Sequence, residues 1–233
     1  GGKEVGEQNP FVWLNPLHPE AQQLLLDIVS EAALKYDLDG VQLDDRIAMP
    51  VEMGYDDYTK QLYASEHDGA MPPADMRDPA WVQWRADKVT AYAKRFASEL
   101  KARHPDLIVS VSPAPYPWSL DNYACDWPQW LTWTTGDGRP LWDEAIPQCY
   151  RTSFDAFETN WQQQVEAVEK LGDGRTSDLI AGVRVVGAGA DTPWPDVARK
   201  LDLSDDFGGG YCIWFSRAVL DVYPDEFTEH MQP

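Results

Sequence analysis

The sequence is short of several things, and each shortage excludes a class of protein. Cysteine occurs three times in 233 residues (Cys125, Cys149, Cys212), with no C-x-x-C spacing. Neither a disulfide framework nor a Cys-based zinc site follows from that pattern. Basic residues are scarce: 19 Lys and Arg stand against 39 Asp and Glu, for a net charge of −20. Nucleic-acid and anionic-membrane binding need clustered Lys and Arg, so neither is expected as a partner. No apolar run approaches the roughly 20 residues that span a bilayer. The four histidines (His18, His67, His104, His230) form no paired metal-ligand spacing, although His18 and His67 flank an Asp-rich segment. No G-x-S-x-G elbow surrounds a serine, and Gly208-Gly209-Gly210 leads into a strand pattern rather than a helix. Internal repeats and low-complexity tracts are absent. Neither a cofactor nor a resident metal is expected.

What is abundant is aromatic and apolar material. The chain has 11 Trp, 10 Tyr and 7 Phe, and 43% of its residues are hydrophobic. That suffices for one sizeable core, and a single domain over 1–233 is the expectation. With 18 Pro and 16 Gly, turns punctuate it often.

Along the chain, short β-branched runs alternate with helical patterns. Asn15-Pro16-Leu17-His18-Pro19-Glu20 introduces a helix with apolar positions at Ala21, Leu24, Leu25, Ile28, Ala32 and Tyr36. Leu38–Asp45 (LDGVQLDD) reads as a strand, followed by an irregular stretch from Arg46 to Arg77. Asp78-Pro79 supplies an N-cap and first helical residue. The helix it starts carries Val82, Arg85, Val89, Tyr92, Phe96 and Leu100, and His104-Pro105 ends it. Further strands are expected at Leu107–Ser112, Ala145–Tyr150, Leu179–Val186 and Gly209–Phe215, with helices near 155–171 and 194–201. Strands separated by helices imply βαβ crossovers and a parallel sheet. Polar or small residues at the strands' C-terminal ends, and longer loops after strands than before them, favour a (β/α)8 barrel over a doubly wound sheet. Five strands nevertheless fall short of eight.

On the strand Asp39–Asp45, side chains alternate. Val41 and Leu43 should face the helices, with Gln42 and Asp44 on the other side and Asp45 at the rim. Adjacent carboxylates at a strand's C-terminal end suit glycoside chemistry, one protonated and one ionised. The same pair would also serve to cap a turn or to pair with Arg46. Gln148 and Tyr150 share parity and should face a pocket, with Arg151 at its rim; Ser112, before Pro113, could line it. Trp118, Trp127, Trp130, Trp133 and Trp142 crowd the loops, and Trp214 ends the last strand. Loop tryptophans can offer flat faces to sugar rings, and Trp127 and Trp214 are the chosen candidates. Trp81 and Trp84 lie on a helix and are expected in the core.

The run WLNPLHPEAQQLLLDIVSEAALKYDLDGVQLDD resembles the bacterial family-10-like glycosyl hydrolases, related to the hydrolase domain that trims poly-β-1,6-glucosamine. The GYDDYT segment, Trp81-x-x-Trp84-Arg85, the VSVSP strand, DWPQW at 126–130 and PQCYR at 147–151 extend the resemblance over roughly residues 11–216. It implies an α/β fold of (β/α)8 TIM-barrel type, present here as an incomplete barrel, the fourth to eighth strands, with the N-terminal strands missing. A second chain or fragment would then supply the rest. The resemblance also implies a glycoside hydrolase acting on a polysaccharide or oligosaccharide, with Asp45 as catalytic carboxylate and Asp44 second. Gln42, Ser112, Trp127, Gln148, Tyr150, Arg151 and Trp214 would bind the carbohydrate substrate. It further implies an exported protein, extracellular or periplasmic. The alternatives are a non-catalytic carbohydrate-binding domain on the same scaffold and a metal-dependent polysaccharide deacetylase. Many barrel glycosidases carry Glu after the fourth and seventh strands. This chain does not, so its second carboxylate is left among Asp191, Glu52, Asp137 and Glu144, or on the missing strands, or its part is taken by an acetamido group of the substrate.

Overall fold

The structure, a computed structural model, describes residues 3–5, 9–187, 189–207 and 209–231, with backbone alone for 3–5 and 9–12. Gly208, part of the glycine triplet, lies outside the described residues.

The chain opens with an antiparallel pair, β1 (Lys3–Val5) and β2 (Asn9–Trp13). Helix α1 (Pro19–Tyr36) follows; His18 caps it by accepting the backbone N–H of Glu20, and Asp37 ends it in the left-handed region at φ 49°. Strand β3 (Gly40–Leu43) leads into a long loop that contains a helix, α2 (Asp57–Glu66). Helix α3 (Pro79–Arg103) starts where Asp78-Pro79 predicts, with the Asp78 carboxylate accepting from Ala80 N and Trp81 N. Then come β4 (Ile108–Val111), α4 (Trp118–Tyr123), a 3-10 turn at Trp127–Thr132 and β5 (Glu144–Ala145). Helix α5 (Phe154–Glu169), β6 (Ala181–Arg184), α6 (Trp194–Asp206), β7 (Tyr211–Trp214), a π-helical turn and α7 (Pro224–His230) complete the order.

β3, β4 and β5 form one parallel sheet, and β6 and β7 a second parallel pair. Backbone bonds join the two. Ile146 N donates to Val111 O at 2.7 Å and Gln148 N to Pro113 O at 2.9 Å on one side. On the other, Ile180 N donates to Ala145 O at 2.9 Å and Gly182 N to Pro147 O at 3.2 Å. Residues 144–148 therefore bridge β4 to β6, giving one arc in the order β3-β4-β5-β6-β7. Gly182 makes that approach possible, because a Cβ there would fall 2.5 Å from Pro147 O. Among the described residues no further strand pairs with the outer edge of β3 or of β7.

The helices cover one face of the arc. Val109, Val111, Ala145, Ala181 and Val183 are buried there against Val89, Phe96, Phe157, Trp161 and Val165. Trp81, Trp127, Trp130, Trp142 and Trp161 are among the largest fully buried side chains, and Trp142 lies between Phe96 (6.3 Å) and Trp130 (5.2 Å). Burying a large aromatic side chain contributes about 2–3 kcal/mol, so much of the tryptophan content holds the fold together. On the opposite face, Gln42, Ile108, Cys212 and Trp214 are exposed.

Several expectations need correction. Residues 46–77 are not wholly irregular: the Asp56 carboxylate accepts Thr59 N and starts α2. The second helix of the C-terminal half runs to Asp206 rather than Leu201. The strands are shorter than expected, and the one expected at Ala145–Tyr150 is β5 at Glu144–Ala145, overlapping it at Ala145 alone, with 146–150 forming part of the rim. Trp84 is only partly buried and donates to Glu66 Oε2 at 2.8 Å, whereas Trp81 is fully buried.

Candidate functional site

Parallel strands put all their C-terminal ends at one rim, and the loops there converge on a cavity of about 670 Å³. Asp45 lines it from the end of β3, Ala114–Trp118 from the segment after β4, and Gln148 and Arg151 from the segment after β5. Asp121 of α4 and Asn160 and Gln163 of α5 complete the wall.

The loop after β3 is fastened at several points. Met49 N donates to Tyr123 O at 2.8 Å and Val51 N to Asn122 O at 3.0 Å. Further along, the fully buried Arg85 guanidinium donates to Val51 O (2.6 Å), Met53 O (2.9 Å) and Met76 O (2.6 Å), and its Nε to Trp81 O (3.3 Å). Burial lowers its pKa to about 10. Gly54 sits in this clamp at φ +97°, where a Cβ would meet the Trp81 ring at 2.9 Å. Arg77 adds bonds to Asp121 O (3.2 Å) and Asn122 Oδ1 (3.1 Å), fixing α4 over the cavity.

The segment after β5 is fixed differently. Lys200 of α6 is fully buried, and its ammonium donates to Arg151 O at 2.7 Å and Thr152 O at 2.9 Å. Burial lowers its pKa to about 8. Gln148 Nε2 donates to Ser112 O at 2.9 Å. The Tyr150 ring lies 5.7 Å from Trp214, and burial pushes its hydroxyl pKa upward, with Asp45 a smaller contributor.

Asp45 is the chemically distinctive group. Its carboxylate is 21% exposed and lies 3.1 Å from Arg46 Nε. Burial raises its pKa; Arg46 opposes that rise and the neighbouring Asp44 charge adds to it. Arg46 also stands over the Trp13 ring at 5.1 Å. Asp44 is exposed, and its Oδ1 accepts Arg46 N at 2.9 Å, closing the turn after the strand. Both local roles that the sequence left open for this pair therefore occur. Neither removes Asp45 from the cavity wall.

The structure brings Asp45, Gln148 and Arg151 together in one cavity and sets Tyr150 and Trp214 side by side at the same rim. Trp214 is 49% exposed. Gln42 is exposed and donates to Ser110 Oγ at 3.1 Å, pointing away from the helices as its parity predicts. Ser112 is buried and its hydroxyl donates to Ile146 O at 3.0 Å, so that group is already engaged. Trp127 requires a correction. It is fully buried, its indole donates to Ala114 O at 3.2 Å, and it supports the cavity floor without reaching the cavity. Trp118, 49% exposed and edge-on to Tyr123 at 5.0 Å, is the tryptophan of that loop which lines the cavity.

Among the four acids considered as second carboxylate, none lines the cavity. Asp137 pairs with Arg139, which reaches Pro105 O at 2.8 Å, beside the N-terminal end of β4. That is the opposite end of the sheet. Glu144 faces Ser110 across β4 and β5, while Glu52 and Asp191 are exposed loop residues. Asp121 is the carboxylate that shares the cavity with Asp45, and sequence reasoning missed it because a short helix in a Trp-rich loop leaves no periodic signal. His18 and His67 do not approach Asp45: His18 packs on Tyr58 at 4.6 Å and His67 stacks on Tyr63 at 3.8 Å. Among the described residues no group of three or more His, Cys, Asp or Glu side chains is placed to hold a metal ion. Nor is any helix there long and apolar enough to cross a membrane.

Comparison with known proteins places these features. The family described as glycosyl hydrolase-like 10 matches residues 3–190. No curated protein sequence matches. Nine solved chains match in structure. One is the PgaB (BpsB) glycoside hydrolase domain from Bordetella bronchiseptica, with a TM-score of 0.70 at 17% identity over 97% of this chain. The chain spans 65% of that structure's length, and at this identity the likeness establishes a shared α/β fold.

Proposed function

Because the chain belongs to the glycosyl hydrolase-like 10 family, we propose that it cleaves glycosidic bonds in an oligosaccharide or polysaccharide at the Asp45 cavity. One observation carries the proposal: a half-buried carboxylate with a raised pKa, at a strand's C-terminal end, in a cavity walled by amide, guanidinium and aromatic side chains. In this reading Asp45 is the group that holds a proton to higher pH than an ordinary carboxylate and gives it to the leaving oxygen. Asp121 is the second carboxylate, Trp118 and Trp214 are platforms for sugar rings, and Gln148 and Arg151 bind hydroxyl groups. Asp44 acts on Asp45 through its charge and through the turn it closes.

The same proposal covers the architecture. The arc from β3 to β7 corresponds to the fourth to eighth strands of a (β/α)8 barrel. The exposed edge of β3, the exposed inner face at Ile108 and Trp214, and Leu24 and Ile28 on α1 are where the remaining strands and helices would pack. A second chain or a further segment supplies them, and the assembled protein is exported.

A second reading has its own support. The Asp45–Arg46 pair at 3.1 Å and the Asp44 turn fit a carbohydrate-binding domain whose acids are structural. Release of reducing ends from a panel of oligosaccharides separates the two. The hydrolase reading expects product that disappears in Asp45→Asn and falls strongly in Asp121→Asn. Binding without product from the assembled protein favours the binding domain. Stereochemistry then dates the carboxylates' roles: a separation of about 5–5.5 Å gives retention and about 6.5–9.5 Å inversion.

A further inference from the structure

The cavity at Asp45 does not end at its own far wall. A second cavity of about 610 Å³ adjoins it, and Tyr116, Pro117 and Gln163 line both. Tyr116–Pro117 forms a saddle between them. The saddle is fixed to α5 by the fully buried Gln164, which accepts Tyr116 N at 2.7 Å and donates to Tyr116 O at 2.9 Å. One side chain thus satisfies both backbone groups of the crossing point, so the shape is set before anything binds.

Beside the saddle stands Asn160. It is 8% exposed, lines the Asp45 cavity, and its Oδ1 has no hydrogen-bond partner. A buried acceptor without a donor costs about 1–3 kcal/mol. Oδ1 itself has almost no accessible surface, so a donor in the cavity reaches it only when the amide turns toward the wall that Asn160 lines, and that contact would offset the cost. Asp121 and Arg151 line the same space beside Asp45 and roughly balance each other, while the chain as a whole carries a net charge of −20. An anionic ligand is therefore disfavoured there.

We propose that Asn160 and Gln163 form an outer saccharide-binding position. With the Asn160 amide turned to the cavity, an uncharged sugar unit donates a hydroxyl or amide hydrogen to its Oδ1, and the oligosaccharide continues across the Tyr116–Pro117 saddle into the second cavity. The proposal deepens the hydrolase reading and rests on it for the identity of the ligand as carbohydrate. It adds where the chain leaves the cleavage point, which class of sugar it admits, and which residue reads it. It also makes binding dependent on chain length, because a single sugar cannot occupy both cavities.

The test measures binding, by tryptophan fluorescence or saturation-transfer NMR, of glucose and N-acetylglucosamine oligomers of one to six units, with oligogalacturonates of equal length as the anionic control. The protein is compared with Asn160→Leu, which keeps the branched side-chain skeleton without its polar atoms, and Gln163→Ala on the exposed helix face; circular dichroism checks the fold of each. The expected result is affinity that rises with length for a neutral series, with weaker binding of the uronates. Asn160→Leu then lowers affinity for the longest neutral oligomer about tenfold while changing that of the single sugar less. Equal affinity of Asn160→Leu and parent for every length, or preference for the uronates, overturns the proposal. Reducing-end release is scored separately. Oligomers that are cleaved with no Asn160 effect sink the outer position and leave the hydrolase reading standing. Oligomers that bind through Asn160 without ever being cleaved do the reverse.

Discussion

Replacing Arg85 by Met tests how the cavity is held open. The guanidinium is fully buried and donates to four carbonyls, three of them on the loop that follows Asp45 or on the approach to α3. It also lies 4.6 Å from the Trp81 ring centre. Met fills most of the volume but donates nothing, so the carbonyls of Val51, Met53 and Met76 lose their partner. Each bond to a charged donor contributes about 1.5–3 kcal/mol, and they are not additive. Removing the charge also removes its desolvation cost, the cause of its lowered pKa of about 10. The net expectation is a loss of about 3–5 kcal/mol, a large share of the roughly 5–15 kcal/mol that holds a typical domain. For a chain of this size that lowers Tm by about 10 °C. Thermal and urea melts give the number, and limited proteolysis should show new cleavage between residues 46 and 77. Arg85→Lys, which restores one or two of the bonds, should fall between the two. A Tm loss below about 3 °C for Arg85→Met, with the loop still protected, would refute the clamp.

Other outcomes follow from the same geometry. Because burial raises the Asp45 pKa, the folded state holds that proton to higher pH than the unfolded chain; the stability it contributes at acid pH is lost as pH rises past the usual carboxylate range. Asp45→Asn should therefore melt at or above the parent temperature at pH 7.5 and close to it at pH 3, in calorimetric scans at both values. Lys200→Met leaves Arg151 O and Thr152 O without their donor and should cost about 2–4 kcal/mol in chemical denaturation; it should also raise KM more than it lowers kcat, since the loop it fixes carries Arg151. Gly182→Ala, with its Cβ forced toward Pro147 O at 2.5 Å, should separate β6 from residues 144–148 and lower Tm measurably. Trp118→Ala should weaken saccharide binding with little change in stability, whereas Trp127→Ala should cost about 3–5 kcal/mol because it empties a fully buried site.

How far the sequence could be read varied by element, for physical reasons. The α3 start was legible because Asp78-Pro79 acts within three residues. Strands β3, β4, β6 and β7 were legible as short apolar runs between helical patterns, whereas β5 is only Glu144–Ala145 and meets the expected Ala145–Tyr150 run at one residue. Helix α2 was not legible, since Asp57–Glu66 buries only Thr59 and Tyr63 and offers no apolar stripe. At the site, strand parity placed Gln42 away from the helices, while Asp44 and Asp45 lie in the turn after β3, whose Asp44–Arg46 bond was foreseeable from the two-residue spacing. Parity says nothing about loops. Trp127 and Trp118 are nine residues apart in one aromatic-rich segment, and only the packing of the 3-10 turn decides that the first is core and the second lines the cavity. Asp121 escaped notice for the same reason: its place beside Asp45 depends on α4 being tied down by Arg77 and by Met49 and Val51, partners distant in sequence.

The claim at the centre is that Asp45 performs chemistry in a saccharide-binding cavity. The most direct measurement sets saccharide affinity beside product release for Asp45→Asn in one preparation of the folded protein. The account predicts oligosaccharide binding within about threefold of the parent and no release of reducing ends. Reducing ends released at the parental rate by the variant would contradict it.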